Sequence, residues 1–360
     1  ETLKNIRREN ISVDQMLELV PAIKETNLAT ASEVILGLPG DTYQGIIDTF
    51  RGLMNAQIED IQCYTCMMLD GAEMNSAVER KKWNFKTKFR VLPKDFVKLK
   101  NGKNVVEIEE VVIENNTLSF KEYVELRCIA FSLFVTNIGI VYFPLLKFLS
   151  ENHIEVFELI YETVKNLENA PNTVKSVFKS FEKQTIEELW DSPEEIEAHY
   201  QNDQEFQKLL DEDSGMNVMQ FHHAIVVGTI MDDWANYIMS ISKTLLQNQT
   251  NFDTIKEEFE NIEKYCFGLS HNILSETRMN DNPEFVFNYD IGKWAKSSEK
   301  KLLDFKYDTP SKLKFILTKK QNNMIEDKLQ IFGNSSTGLL QTIKRIPRQN
   351  LWRIPVSINS

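Results

Sequence analysis

The stretch that most limits how this chain can fold is residues 32–69. Ser32 to Leu38 is a short apolar run rich in β-branched residues, the pattern of a strand covered on both faces, as in a parallel sheet. Pro39-Gly40-Asp41-Thr42 follows, a turn that ends in a helix-capping residue. From Thr42 to Gln57, Ile46, Ile47, Phe50, Leu53 and Met54 share one helical face. Ile58 to Leu69 then reads as a second strand. Strand, turn, helix and strand make one α/β unit, and the right-handed crossover rule predicts that the two strands run parallel.

The flanking sequence differs. Residues 1–30 carry Leu3, Ile6, Ile11, Met16, Leu17 and Val20 at near-helical spacing, with Ser12 or Asp14 as a cap. Two strands are predicted around Asn101-Gly102, from Phe96 to Lys100 and from Val105 to Ile113. Ser119 with Glu122 forms a capping box ahead of an apolar helix. Beyond it, to about residue 275, the pattern is helical, with long helices expected over 217–247 and 252–275. Phe285 to Tyr289 and Lys312 to Leu317 are predicted strands, and the tail from Gln341 carries Lys344, Arg345, Arg348 and Arg353 without an acid.

Charge and composition exclude several classes. A net charge of −12 argues against general nucleic-acid binding, which depends on Lys and Arg. Twelve acids between 182 and 213, against Lys183 and Lys208, read as solvated helical faces around a Ser192-Pro193 loop. The 19 residues from Cys128 to Leu146 carry no charge, which meets the length of a membrane span. Asn137, Gly139 and Pro144 interrupt them, so a buried helix, a turn and a second helix are predicted instead. Four scattered cysteines are too few for a disulfide scaffold and point to a reducing, cytoplasmic setting.

Few motifs carry chemistry. The first strand ends in two glycines, Gly37 and Gly40, which would let backbone approach a ligand. The same glycines also suit a tight strand-to-helix turn with no ligand. No lysine follows as in a phosphate loop. Cys63 and Cys66 lie three apart on a predicted strand and so point to opposite faces, which argues against a shared metal or a disulfide. His222 and His223 point about 100° apart on a helix and read as a pair used for packing and hydrogen bonds. Arg7-Arg8 is a solvated pair or a carboxylate or phosphate clamp. No Ser/His/Asp arrangement can be assembled.

Several segments taken in order resemble the radical S-adenosylmethionine (SAM) family. Residues 1–11 (ETLKNIRRENI) resemble the segment after that family's fourth barrel strand, and EVILGLPGDT (33–42) its fifth strand and turn, with Asp41 where Glu is usual. IEDIQCYTCMMLDGAEM (58–74) resembles the sixth strand and its loop, with Asp70-Gly71-Ala72 in place of Pro-Gly-Thr. Arg90 to Pro93, Val106-Glu107 and Thr117 to Ser119 resemble the cobalamin-binding subgroup. The resemblance implies an α/β fold, the C-terminal half of a β/α barrel over 1–92. A β-hairpin connector (93–116), a helical domain (117–280) and a mixed segment with a basic tail (281–360) would follow it.

In that family a [4Fe-4S] cluster on a Cys-x₃-Cys-x₂-Cys loop cleaves SAM to a 5′-deoxyadenosyl radical, in some members with cobalamin. By the resemblance Ile35, Gly37, Leu38, Pro39 and Gly40 would lie against the adenosine, Gln62 would flank it, and Arg7 or Arg8 would approach the carboxylate. No three cysteines here have the cluster spacing. The expectation is therefore a C-terminal portion acting on an unidentified substrate, with no catalytic residue and no metal ligand of its own. The alternative is a non-catalytic helical scaffold protein with a remnant α/β unit.

Overall fold

Residues Ala31–Leu36 form β1 and Asp60–Thr65 form β2, paired in parallel from Ala31↔Asp60 to Leu36↔Thr65. The helix Tyr43–Asn55 links them and buries Ile46, Ile47, Phe50, Leu53 and Met54, the face the periodicity predicts. Thr42 caps it by accepting from the N–H of Gly45. Paired residues of parallel strands share a face. Val34, Leu36, Ile61 and Thr65 are therefore buried on one side, and Glu33, Ile35, Gln62 and Tyr64 occupy the other.

In this computed structural model residues 2–6, 15, 19, 30–137, 141–212, 214–297 and 300–358 are described. The predicted Ser12 or Asp14 cap and most of the helix expected before residue 30 lie outside them. The chain divides into two compact units, Glu1–Phe131 with Phe178–Met219, and Ser132–Val177 with Gln220–Ser360. The helical stretch is thus shared between the units, and 178–219 belongs with the α/β segment.

In the first unit a helix and a strand follow Met74. Ala77–Trp83 is a helix capped by Ser76 and closed by Asn84 at φ 52°. Lys86–Lys98 is β3, pairing antiparallel with β4, Asn104–Glu114. The hairpin thus begins about ten residues before the expected Phe96. Pro93 and Lys94 (φ 72°) hide the alternation, because they sit where the register shifts between Val91 and Phe96. The helices Pro193–Tyr200 and Asp203–Leu210 lay Ile196, Tyr200, Phe206 and Leu209 against Val91. Ser192 caps the first of them, with Pro193 in its first turn, so the predicted loop is a helix start.

The uncharged run divides as expected, into a helix at Phe120–Thr136 and another at Phe143–Glu151. The Ser119–Glu122 capping box is made in both directions. Among the described residues no helix is long and apolar enough to cross a membrane. The single helix expected over 217–247 is instead two, Val218–Thr229 and Met231–Gln249. Ile230 leaves the helical region (φ −132°, ψ 22°), and Asp232 and Asp233 stand in the first turn of the second helix, where the positive end of its dipole favours acids.

The second unit packs helix Phe252–Ser270 on a sheet of β5 (Glu284–Tyr289), β6 (Lys306–Ile316) and β7 (Ile354–Ser357), antiparallel in that order. Gly268 permits this approach, since a Cβ there would meet the Phe315 ring at 2.6 Å. Buried Arg353 donates to the carbonyls of His271 (2.6 Å) and Arg278 (2.8 Å) and to Asn282 Oδ1 (2.8 Å), tying the C-terminal strand to the helix end. His271 itself bridges Asp232 (Nδ1, 2.8 Å) and Asp281 (Nε2, 3.0 Å).

The hydrogen bond to Asp232 raises the His271 pKa against the opposing effect of burial. Asn272 and His271 hold the Asp281 carboxyl below its ordinary range. A histidine raised on folding contributes stability that is full below its unfolded value, about 6.5, and is lost as pH rises through the folded value. His271→Asn is expected to lower Tm by about 2–4 °C near pH 6, with a smaller deficit at pH 9 in differential scanning calorimetry. An equal deficit at both pH values would contradict the bridge.

Candidate functional site

The turn after β1 is organised by one carboxylate. Asp41 Oδ2 accepts from the N–H of Gly37 (3.1 Å) and of Leu38 (2.8 Å), and the Asp41 N–H donates to the Leu38 carbonyl (3.0 Å). This closure places both glycines at positive φ, 99° for Gly37 and 85° for Gly40, where an L side chain is strained. Asp41 is buried, and desolvation pushes its pKa up to about 6 although the two backbone N–H groups favour the anion.

The carbonyls of the turn have partners drawn from elsewhere in the unit. Asn115 Nδ2 donates to the Leu38 carbonyl (3.1 Å), Asn5 Nδ2 to that of Pro39 (2.9 Å), and the Thr117 hydroxyl to that of Asp41 (2.6 Å). The glycines also face protein. A Cβ on Gly37 would lie 3.2 Å from the Val112 carbonyl, and one on Gly40 would lie 2.7 Å from Asn5 Nδ2 beside the Trp83 ring. Their lack of a side chain therefore serves close packing inside the protein. Sequence spacing missed Asn5, Asn115 and Thr117, because the last two lie more than seventy residues from their acceptors and no local signal marks them.

The sequence-predicted residues separate accordingly. Ile35, Gly37, Leu38, Pro39 and Gly40 are contiguous on β1 and its turn, and Gln62 stands on the adjoining strand, opposite Glu33. Arg7 and Arg8 lie outside the described residues. Ile35 and Leu38 are half-buried against Cys66, Met68 and Val112. On the same face of β2, Tyr64 donates to Gln62 Oε1 (2.5 Å) and Gln62 Nε2 donates to Asp60 (3.3 Å). Tyr64 is 44% exposed and is a further candidate that sequence reasoning did not name. The face thus offers an apolar shelf (Ile35, Leu38) beside an amide and a phenol, a set suited to a flat heteroaromatic ring with polar edges.

The cysteines are a poor set for iron. Cys63 lies in register with Val34 on the helix-covered face, whereas Cys66 joins the cluster on the opposite side. All four are free thiols. Burial pushes the Cys63 and Cys66 thiols up to about 12, whereas a metal needs thiolates. Among the described residues no group of three His, Cys, Asp or Glu could hold a metal ion. The four cysteines do not fit an iron–sulfur cluster. The carbonyls of Leu38, Pro39 and Asp41 are already engaged, so the face would meet a ligand through side chains.

His222 and His223 stand on the helix Val218–Thr229. His223 sits beside the Phe134 ring, and burial pulls its pKa down to about 4. His223 thus packs on an aromatic ring, but its buried Nε2 has no hydrogen-bond partner among the described residues, so the hydrogen-bonding part of the expected role is not seen there.

No protein-family model matches the chain. It is similar to a cobalamin-dependent radical SAM methyltransferase, TokK of Streptomyces tokunonensis, with 29% identity over 128 residues. The match covers 35% of this chain and 18% of the relative, so the compared segment spans about a fifth of that protein's length.

Two outcomes are expected of the turn. Gly40→Ala should destabilise the chain by about 1–2 kcal/mol in urea unfolding, since it meets both an adverse φ and Asn5. The raised Asp41 pKa means that the folded chain binds the proton more tightly than the unfolded one. Stability should therefore fall as pH rises from about 4 through about 6. Asp41→Asn, which keeps an oxygen acceptor for the two N–H groups, should flatten that slope by on the order of 2–3 kcal/mol. An unchanged slope would mean that Asp41 does not titrate there.

Proposed function

We propose that this chain forms the adenosine-binding side of a radical SAM enzyme whose cluster is held by residues outside this sequence. On this reading the β1–β2 pair is part of a β/α barrel, whose ligands gather at the carboxyl ends of the strands. The observation that carries the proposal is the meeting of Ile35, Leu38, Gln62 and Tyr64 on one face of a parallel strand pair. The partial similarity to a radical SAM methyltransferase supports it.

Bound SAM supplies one-electron and methyl-group chemistry. The residues of this chain act on the ligand's position only. Ile35 and Leu38 bury one face of the adenine ring, and their apolar surface favours the ring over water. The Gln62 amide, held by Tyr64 and Asp60, presents a donor and an acceptor to the ring's polar edge. Asp41 keeps the turn shaped so that Leu38 stays on the shelf. We take cobalamin dependence and methyl transfer as the reaction class from the relative, with the cobalamin also held outside this chain.

The test uses this chain together with the coding region that precedes it, anaerobically reconstituted with iron and sulfide. Expected are iron–sulfur absorbance and 5′-deoxyadenosine on reduction in the presence of SAM. Gln62→Ala should raise the KM for SAM about 2–10-fold, the effect of losing one hydrogen bond, and Ile35→Asp should raise it more. Absence of both the chromophore and 5′-deoxyadenosine would overturn the proposal. So would an unchanged KM in both variants of an otherwise active protein.

A further inference from the structure

On the helix-covered side of β2, away from Gln62, stands an arginine that makes no hydrogen bond or ion pair with any described residue. Arg127, on the helix Phe120–Thr136, is 5% exposed, and its Nε is buried without a partner. Its contact is with a ring: the guanidinium carbon lies 5.9 Å from the centre of Phe181. The positive charge is felt by the thiols of Cys63 and Cys128, which locates it between β2 and its own helix. The neighbouring arginine of this unit is treated differently, since Arg90 is held by both Glu109 and Glu188.

A second buried donor is unsatisfied on the helix Asn172–Glu187, which carries Phe181. Thr185 is fully buried, and its hydroxyl has no partner. Phe131 stacks on Phe181 at 4.6 Å and meets Phe178 at 5.3 Å, whereas Arg127, one turn earlier, lies over Phe181. Glu188 is paired with Arg90, whose charge is felt by Tyr123. The two helices therefore run antiparallel, and Thr185, one turn beyond Phe181 on the same face, falls abreast of the stretch from Arg127 to Tyr123. Buried polar groups are normally hydrogen-bonded, and a buried charge is normally paired. Two unmet donors at one level of a helix pair, one of them cationic, call for an acceptor that carries negative charge.

We propose that Arg127 and Thr185 form a binding site for a small oxyanion, a phosphate or a carboxylate, distinct from the Ile35–Gln62 shelf. The planar guanidinium offers a two-pronged donor that matches such an anion, and lysine cannot reproduce it. The Thr185 hydroxyl supplies a further donor. Phe181 covers one side of the guanidinium.

The site is tested on the full chain by following the Nε–Hε signal of Arg127 in ¹H–¹⁵N spectra, assigned by its loss in Arg127→Lys. Inorganic phosphate, acetate and chloride are titrated at constant ionic strength. A saturable shift of that signal with phosphate identifies a phosphate site, and one with acetate but not phosphate identifies a carboxylate site. Arg127→Lys should weaken binding at least about 10-fold by calorimetry, and Thr185→Val about 3-fold with the fold unchanged by circular dichroism. If neither anion moves the signal beyond the chloride control, or if Thr185→Val and Arg127→Lys bind as the wild type does, the proposal is overturned. The Nε signal and Thr185→Val keep the test decisive should the lysine variant fold poorly.

Discussion

The carboxylate of Asp41 is the contact on which the first unit depends. By accepting from two successive backbone N–H groups it reverses the chain after β1 and starts the helix that covers the sheet. The reversal presents three carbonyls outward, and these are met by Asn5, Asn115 and Thr117. One buried side chain thus gathers the N-terminal segment, the end of the hairpin and the strand pair. The arrangement carries a cost, because desolvation opposes the ionised form of the group at the centre.

This arrangement changes what the glycines mean. A strand end with two glycines suggests an open backbone for a ligand, yet Gly37 approaches Val112 and Gly40 approaches Asn5 and Trp83. The turn is a packing device, and any ligand at this end of the strands would meet side chains. The side chains at this end are those of Ile35, Gln62 and Tyr64, which share a face by parallel register, and Leu38, which packs with Ile35 against one cluster.

The polar groups of the two units show how differently a buried cation can be handled. Arg353 is enclosed by carbonyls that would otherwise be unpaired at the end of a helix and in the loop after it, so its burial serves the fold. Arg90 is neutralised by two carboxylates. Arg127 has neither arrangement among the described residues.

Periodicity and turn chemistry were enough to place the strand–turn–helix–strand unit, its parallel pairing, the capping box at Ser119 and the division of the uncharged run. These features depend on residues a few positions apart, and the physics that produces them is local. Local pattern failed at Ile230, where an apolar residue suited to a helix leaves it, and at Pro93-Lys94, where a bulge hides a strand. It also did not distinguish Arg127 from a solvated arginine or Arg353 from a basic tail. Whether a charge is paired depends on which distant segments arrive beside it. By itself the sequence determined the local elements, the absence of cluster-spaced cysteines, and the chemistry available at the end of β1. Tertiary structure alone decided which of those groups are already satisfied by the protein, because hydrogen bonds that span seventy or more residues form only when the chain has folded.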